Sequence, residues 1–133
     1  IYTREQAPAQ WAMTQNNLGT ALRTQAEIAE PEERGKLLAQ AMQSFQVALQ
    51  VRTREQAPAD WAMTQNNLGA ALRDQAEIAE PEARGKLLAQ AVQAFQTALR
   101  IYTREQAPAQ WAMTQNNLEI AVRAQIAIAE IEK

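Results

Sequence analysis

The side chains that carry most enzymatic proton and group transfer are missing from this chain, which has no histidine and no cysteine. Zinc sites of the usual kind and His-based nucleophilic triads need one or both, so both are excluded. A phosphate-cradling loop needs clustered glycines, and the only ones, Gly19, Gly35, Gly69 and Gly85, are scattered. The densest titratable group is Glu30, Glu32 and Glu33. As a weak cation site it fails on its second copy, where Ala83 replaces Glu33. A solvated loop with negative charge at a helix N-terminus accounts for it instead. The chain is therefore read as non-catalytic, with no cofactor and no metal.

What recurs with regular spacing is a set of amides and guanidinium groups. The stretch WAMTQNNLG occupies 11–19 and 61–69, and WAMTQNNL returns at 111–118. It carries Asn16, Asn17 and Arg23, then Asn66, Asn67 and Arg73, then Asn116, Asn117 and Arg123. A side-chain amide is both donor and acceptor. A ladder of them could pair with the backbone of an extended peptide. They could equally bond neighbouring backbone or water, since near-identical copies repeat every residue whether or not it works.

The elements that must position these groups come in repeats. Residues 51–100 differ from 1–50 only at 1/51, 2/52, 10/60, 20/70, 24/74, 33/83, 42/92, 44/94, 47/97 and 50/100, and 101–118 repeats 1–18 unchanged. A period of this size marks stacked structural units. The division is a single repeat domain over 1–133. Residues 1–6 are read as the tail of a preceding helix B, 7–56 as repeat 1, 57–106 as repeat 2 and 107–133 as a C-terminal helix A. Two prolines per repeat mark helix starts. They give helix A at 8–28, helix B at 31–56, A at 58–78, B at 81–106 and a last A at 108–131.

Turned at 100° per residue, helix A places Trp11, Leu18, Leu22 and Ala29 on one stripe, flanked by Ala12, Ala21, Ala26 and Ile28, taken as its packing face. Helix B gathers Leu38, Ala41, Phe45, Ala48 and Leu49. Gly19 and Gly69 sit in mid-helix, at about 1 kcal/mol each relative to alanine. A neighbouring helix too close for a Cβ explains them. Composition agrees: apolar residues make up 47% but aromatics only 5%, so small side chains must do the packing. No apolar run is long enough to span a membrane. No basic stretch followed by an apolar run stands at the start of the given residues, so no signal peptide is expected among them. The absence of cysteine fits the cytoplasm, and the net charge of −2, with both signs interspersed, offers no stripe for nucleic acid.

Leu18-Gly19-x2-Leu22, then Ala41-x3-Phe45, then Pro58 resembles the tetratricopeptide repeat, whose 34-residue pattern runs W-x2-L-G-x2-Y, A-x3-F, P. The stretch ALQVRTREQAPADWAMTQNNLG is similar to the longer repeats of the kinesin light chain class. Gln15 and Gln65 stand where that family has tryptophan, and Leu22 and Leu72 where it has tyrosine. The resemblance implies an all-α, right-handed superhelix of αα-hairpins, a solenoid, that acts as a scaffold. Its concave helix-A face would hold a peptide or partner protein.

On helix A, Met13, Asn16, Thr20 and Arg23 fall opposite the Trp11 stripe, with Asn17 on the flank. The expected peptide-binding set is these five with Met63, Asn66, Asn67, Arg73, Asn116, Asn117 and Arg123. A competing reading is a structural or self-assembling array, engineered or recently duplicated, without a dedicated ligand. The last helix departs from the repeat. Gly19 and Gly69 become Glu119, and Met113, Ile120, Ala124, Ala127 and Ile131 form an apolar stripe on the groove side. A helix apolar on both faces wants two partners, so a two-fold homodimer through 108–131 is expected.

Overall fold

Proline sets the register of every helix. The computed structural model describes residues 3–132. Its five helices are α1 (Pro8–Glu27), α2 (Pro31–Val51), α3 (Pro58–Ile78), α4 (Pro81–Leu99) and α5 (Pro108–Glu132), each opening on a proline. Proline suits that place because its missing N–H would have no intrahelical acceptor and its φ is already helical. The architecture is all-α, with no strand among the described residues. Helices pack in adjacent pairs along the chain, and α1, α3 and α5 also touch edge to edge. No helix of the described residues is long and apolar enough to cross a membrane.

The B-type helices α2 and α4 stop at residues 51 and 99, short of the expected 56 and 106. A local turn explains the difference. The Gln56 N–H donates to Thr53 Oγ1 (3.4 Å), Gln106 N–H to Thr103 Oγ1 (3.1 Å) and Gln6 N–H to Thr3 Oγ1 (3.1 Å). A threonine hydroxyl that captures a nearby N–H gives the backbone an alternative to the next helical turn. Residues 3–7 take this same turn, so they are not a helix tail. Ile1 and Tyr2, the rest of that expected tail, lie outside the described residues.

The A–B turns are fastened by arginine. Arg34 Nε donates to the Ala26 carbonyl (3.1 Å) and Nη2 to that of Ala29 (3.4 Å). Arg84 does the same to Ala76 (3.2 Å) and Ala79 (3.1 Å). A cation there satisfies the last carbonyls of a helix and opposes the negative end of its dipole. The acidic cluster of Glu30, Glu32 and Glu33 is exposed beside this turn.

Within each hairpin a phenylalanine ring packs directly against a glycine. A Cβ on Gly19 would come within 2.5–2.8 Å of three Phe45 ring atoms, and one on Gly69 within 2.6–2.9 Å of Phe95. Both rings are completely buried. The close approach expected from the mid-helix glycines is present, and the expected face contributes through Leu22, Ala29 and the flanking Ala12 and Ala26, while its large members Trp11 and Leu18 contribute least. In α1 the buried residues are Ala12, Asn16, Gly19 and Ala26. Trp11 is only half-buried, and Leu18 is 46% exposed. The hairpin closes on a stripe of small residues because a backbone without bulk lets Phe45 descend onto it. In α3, flanked by both α2 and α4, Leu72 is buried and Leu68 joins Met42 on the Ala41–Phe45–Ala71 cluster. Arg4 lies 5.8 Å over the Trp11 ring and Arg104 5.7 Å over Trp111, at cation–π distance.

Candidate functional site: a polar seam and an apolar groove between repeats

The asparagines form a ladder, but its rungs are bonds within the chain. Asn16 Oδ1 accepts from Thr64 Oγ1 (3.0 Å) and Asn67 Nδ2 (3.1 Å). One repeat on, Asn66 Oδ1 accepts from Asn117 Nδ2 (3.2 Å), and Asn117 Oδ1 accepts from Arg73 Nη1 (3.3 Å). Asn16 and Asn66 are 4% and 5% exposed. The expectation that their amides face a ligand is corrected: each is withdrawn between two A-type helices and spent on the next copy of the motif. Buried polar atoms are costly unless bonded, and here a repeated motif supplies its own partner at a fixed offset. Asn116 has no later A-type helix against it and is exposed.

The other expected binding residues divide. Met13 and Met63 are half-buried and line a nearly closed space with Asn16, Trp61 and Thr64. Asn17 and Thr20 are exposed, the Thr20 hydroxyl donating to the Asn16 carbonyl at 3.1 Å. Arg123 is exposed on the side of α5 away from α3 and α4. Arg23 and Arg73 both reach a recess between successive A-type helices.

These two recesses occupy the same place in successive repeats, and they differ in kind. The first, of about 210 Å³, is lined by Arg23, Ala26, Glu27, Arg34, Leu38, Asp74 and Glu77. Arg23 Nε meets Asp74 Oδ2 at 2.6 Å across it. Two guanidinium groups face three carboxylates, so the notch is polar and slightly acidic. The second, of about 330 Å³, lies between α3 and α5 over the start of α4. It is walled by Ile120, Ala124, Ala127, Ile128, Ile131 and Leu88, with Ala76, Arg73, Glu77 and Arg84 completing it. Ala124 stands where α3 has Asp74, Ala127 where it has Glu77 and Ile120 where it has Ala70. Ile131 replaces the proline that would stop the helix, so α5 runs on to 132 and lengthens the wall. Two guanidinium groups now face one carboxylate.

Four of the five residues expected for self-association, Ile120, Ala124, Ala127 and Ile131, therefore line one groove. Ile120 is 42% and Ile131 81% exposed; Met113, 48% exposed, lies outside it. Glu119 is exposed, as suits a position with no B-type helix pressed on it.

Sequence reasoning did not identify Arg34 and Arg84 as braces or Asp74 as the partner of Arg23. The signal was present: arginine keeps its place four residues after Glu30 and Glu80 in both copies, and Asp74 and Asp60 are the two carboxylates that the second copy gains. Elsewhere Tyr102 is buried, with its hydroxyl donating to the Ala59 carbonyl at 3.4 Å. Burial, reinforced by the Asp60 carboxylate, raises its pKa above the ordinary 10.0. The Arg52 side chain, one repeat earlier, pairs with Asp60 at 2.8 Å. Among the described residues no three His, Cys, Asp or Glu side chains gather as metal ligands would. Comparison with known proteins brings no match, whether to a family model, a curated sequence or a solved structure.

Proposed function

We propose that this chain is a non-catalytic scaffold, a tetratricopeptide-like right-handed solenoid of the long-repeat kind, which holds a peptide or partner protein on the face formed by α1, α3 and α5. The fifty-residue repeat and the helix pairs support the architecture, because stacked hairpins bury faces that no single hairpin can bury alone. One observation carries the function: the apolar groove between α3 and α5, with Ile120 and Ile131 open to solvent. Concave apolar recesses with a few polar groups are where ligands settle. Its size, about 330 Å³, is at the lower end of the ~300–1,000 Å³ of ligand clefts. The test uses the chain as bait beside a variant with Ile120→Thr and Ile131→Glu. A partner retained by the first and lost by the equally folded second supports the reading. Equal capture by both, or by neither, removes it.

A second reading is self-association through α5. Ile126 is 56% exposed on a different side of α5 from the groove, so this helix presents apolar surface in two directions. Light scattering after size exclusion separates the two readings. A homodimer dispersed by the same substitutions supports the second, and a monomer at tens of micromolar excludes it.

A further inference from the structure

The two inter-repeat recesses form a comparison within one molecule. In the first, Arg23 and Asp74 make a 2.6 Å ion pair with side chains roughly a quarter exposed, 30% and 22%. In the second, Arg73 is the counterpart of Arg23, and Ala124 has replaced the carboxylate. Among the described residues Arg73 has no carboxylate partner; its one polar contact is the neutral Asn117 amide at 3.3 Å. Arg84 is committed to the Ala76 and Ala79 carbonyls. Glu77 is exposed and stands at the rim of both recesses. Counting lining groups, two arginines against Glu27, Asp74 and Glu77 give the first recess a charge of 2 − 3 = −1. Two arginines against Glu77 give the second 2 − 1 = +1.

The changes that remove the negative charge also make the walls apolar. Ala124, Ala127, Ile120 and Ile131 leave a larger cavity beside a guanidinium whose repeat-mate prefers a carboxylate. A guanidinium binds carboxylates with charge-assisted, directional hydrogen bonds. Such bonds strengthen where neighbouring apolar atoms keep water away.

We propose that the α3–α5 groove binds an extended peptide segment of a partner protein in which an aspartate or glutamate lies among aliphatic residues. The peptide carboxylate takes the place on Arg73 that Asp74 holds on Arg23. The aliphatic side chains fill the space between Ile120, Ile128 and Ile131. This rests on the scaffold reading and adds the chemistry of the ligand. A short peptide segment suits a space of about 330 Å³ between α3 and α5. It also fits better than a second copy of α5, whose groove stripe from Met113 to Ile131 carries no carboxylate.

The test titrates the full chain with short capped peptides, two leucines on each side of one variable residue, either aspartate, asparagine or lysine. The isoleucine methyl signals of Ile120, Ile128 and Ile131 are followed by NMR. The expected result is saturable shifts with the aspartate peptide and at least tenfold weaker binding of the other two. Arg73→Gln weakens the aspartate peptide at least tenfold without changing the asparagine peptide, and Arg73→Lys restores part of the loss. Ala124→Asp, which installs the carboxylate of the first recess, abolishes the preference for aspartate. Equal binding of aspartate and asparagine peptides overturns the proposal, as does the absence of saturable shifts at millimolar peptide. Concentration-dependent shifts without peptide overturn it in favour of a second copy. A partner captured by the whole chain regardless of Arg73→Gln would leave the scaffold reading standing and remove this one alone.

Discussion

Replacing Gly19 with alanine should destabilise the chain even though alanine is the better helix former. The helical preference alone favours Gly19→Ala by about 1 kcal/mol. Against it, the new Cβ would stand 2.5, 2.7 and 2.8 Å from three atoms of the Phe45 ring. The ring is fully buried. Overpacking of a tight core costs about 1–3 kcal/mol, and three simultaneous contacts on a rigid ring belong in the upper part of that range. The net expectation is a loss of about 1–2 kcal/mol. Gly85→Ala supplies the control, because nothing lies within 4 Å of its Cβ position and the helical preference acts alone. It should gain about 0.5–1 kcal/mol. Urea unfolding followed by circular dichroism measures both, and Phe45→Leu in the Gly19→Ala background should recover part of the loss. If Gly19→Ala stabilised as much as Gly85→Ala, the close Gly–Phe packing would be refuted.

Other perturbations separate seam, brace and surface. Thr114 Oγ1 is buried with no hydrogen-bond partner, whereas its repeat-mate Thr64 bonds Asn16. Thr114→Val should therefore be neutral or stabilising, and Thr64→Val should cost about 1 kcal/mol in the same urea assay. Arg84→Met removes two bonds to the end of α3 and should cost about 1–3 kcal/mol, with hydrogen exchange of the last turn of α3 accelerating first. The raised pKa of Tyr102 fixes the sign of an alkaline effect. Below the ordinary value of 10.0 both states hold the phenolic proton, and above it the unfolded chain ionises first. Stability thus falls as pH rises above 10.0, and Tyr102→Phe should flatten that slope; an unchanged slope would refute it.

How much was legible in the residues follows from which physical effect dominates each segment. Proline leaves little choice at a helix start, so all five starts were readable. A mid-helix glycine is costly unless something needs the room, so the close approach at Gly19 and Gly69 was readable too. The B-helix ends were not. Arg54, Glu55 and Gln56 are good helix formers, and the Thr53 side chain that captures the Gln56 N–H is a local competitor that propensity does not weigh. The helical wheel centred the hairpin face on Trp11 and Leu18 with Ala12 and Ala26 at its flank, but the buried line runs through Ala12, Gly19 and Ala26 because smallness permits approach, with Leu22 and Ala29 packed beside it. The asparagines misled for a related reason. A polar side chain on a helical wheel looks solvent-facing, and only the placement of the next A-type helix shows that Asn67 arrives to satisfy Asn16. The apolar stripe of α5 was readable because Ile120, Ala124, Ala127 and Ile131 recur at helical spacing, and these four line one groove.

Two pairs of substitutions, each read for thermal stability and for retention of a partner, test the division between structural seam and binding groove most directly. Asn16→Ala with Asn66→Ala removes the acceptors of Asn67 Nδ2 and Asn117 Nδ2, and leaves the Thr64 hydroxyl only the Asp60 carbonyl. That should cost about 1–3 kcal/mol per site while the folded fraction keeps its partner. Ile120→Thr with Ile131→Glu alters side chains 42% and 81% exposed, so the melting temperature should hold while partner retention is lost. The reverse pattern, with binding lost at the asparagines and stability lost at the isoleucines, would contradict the account.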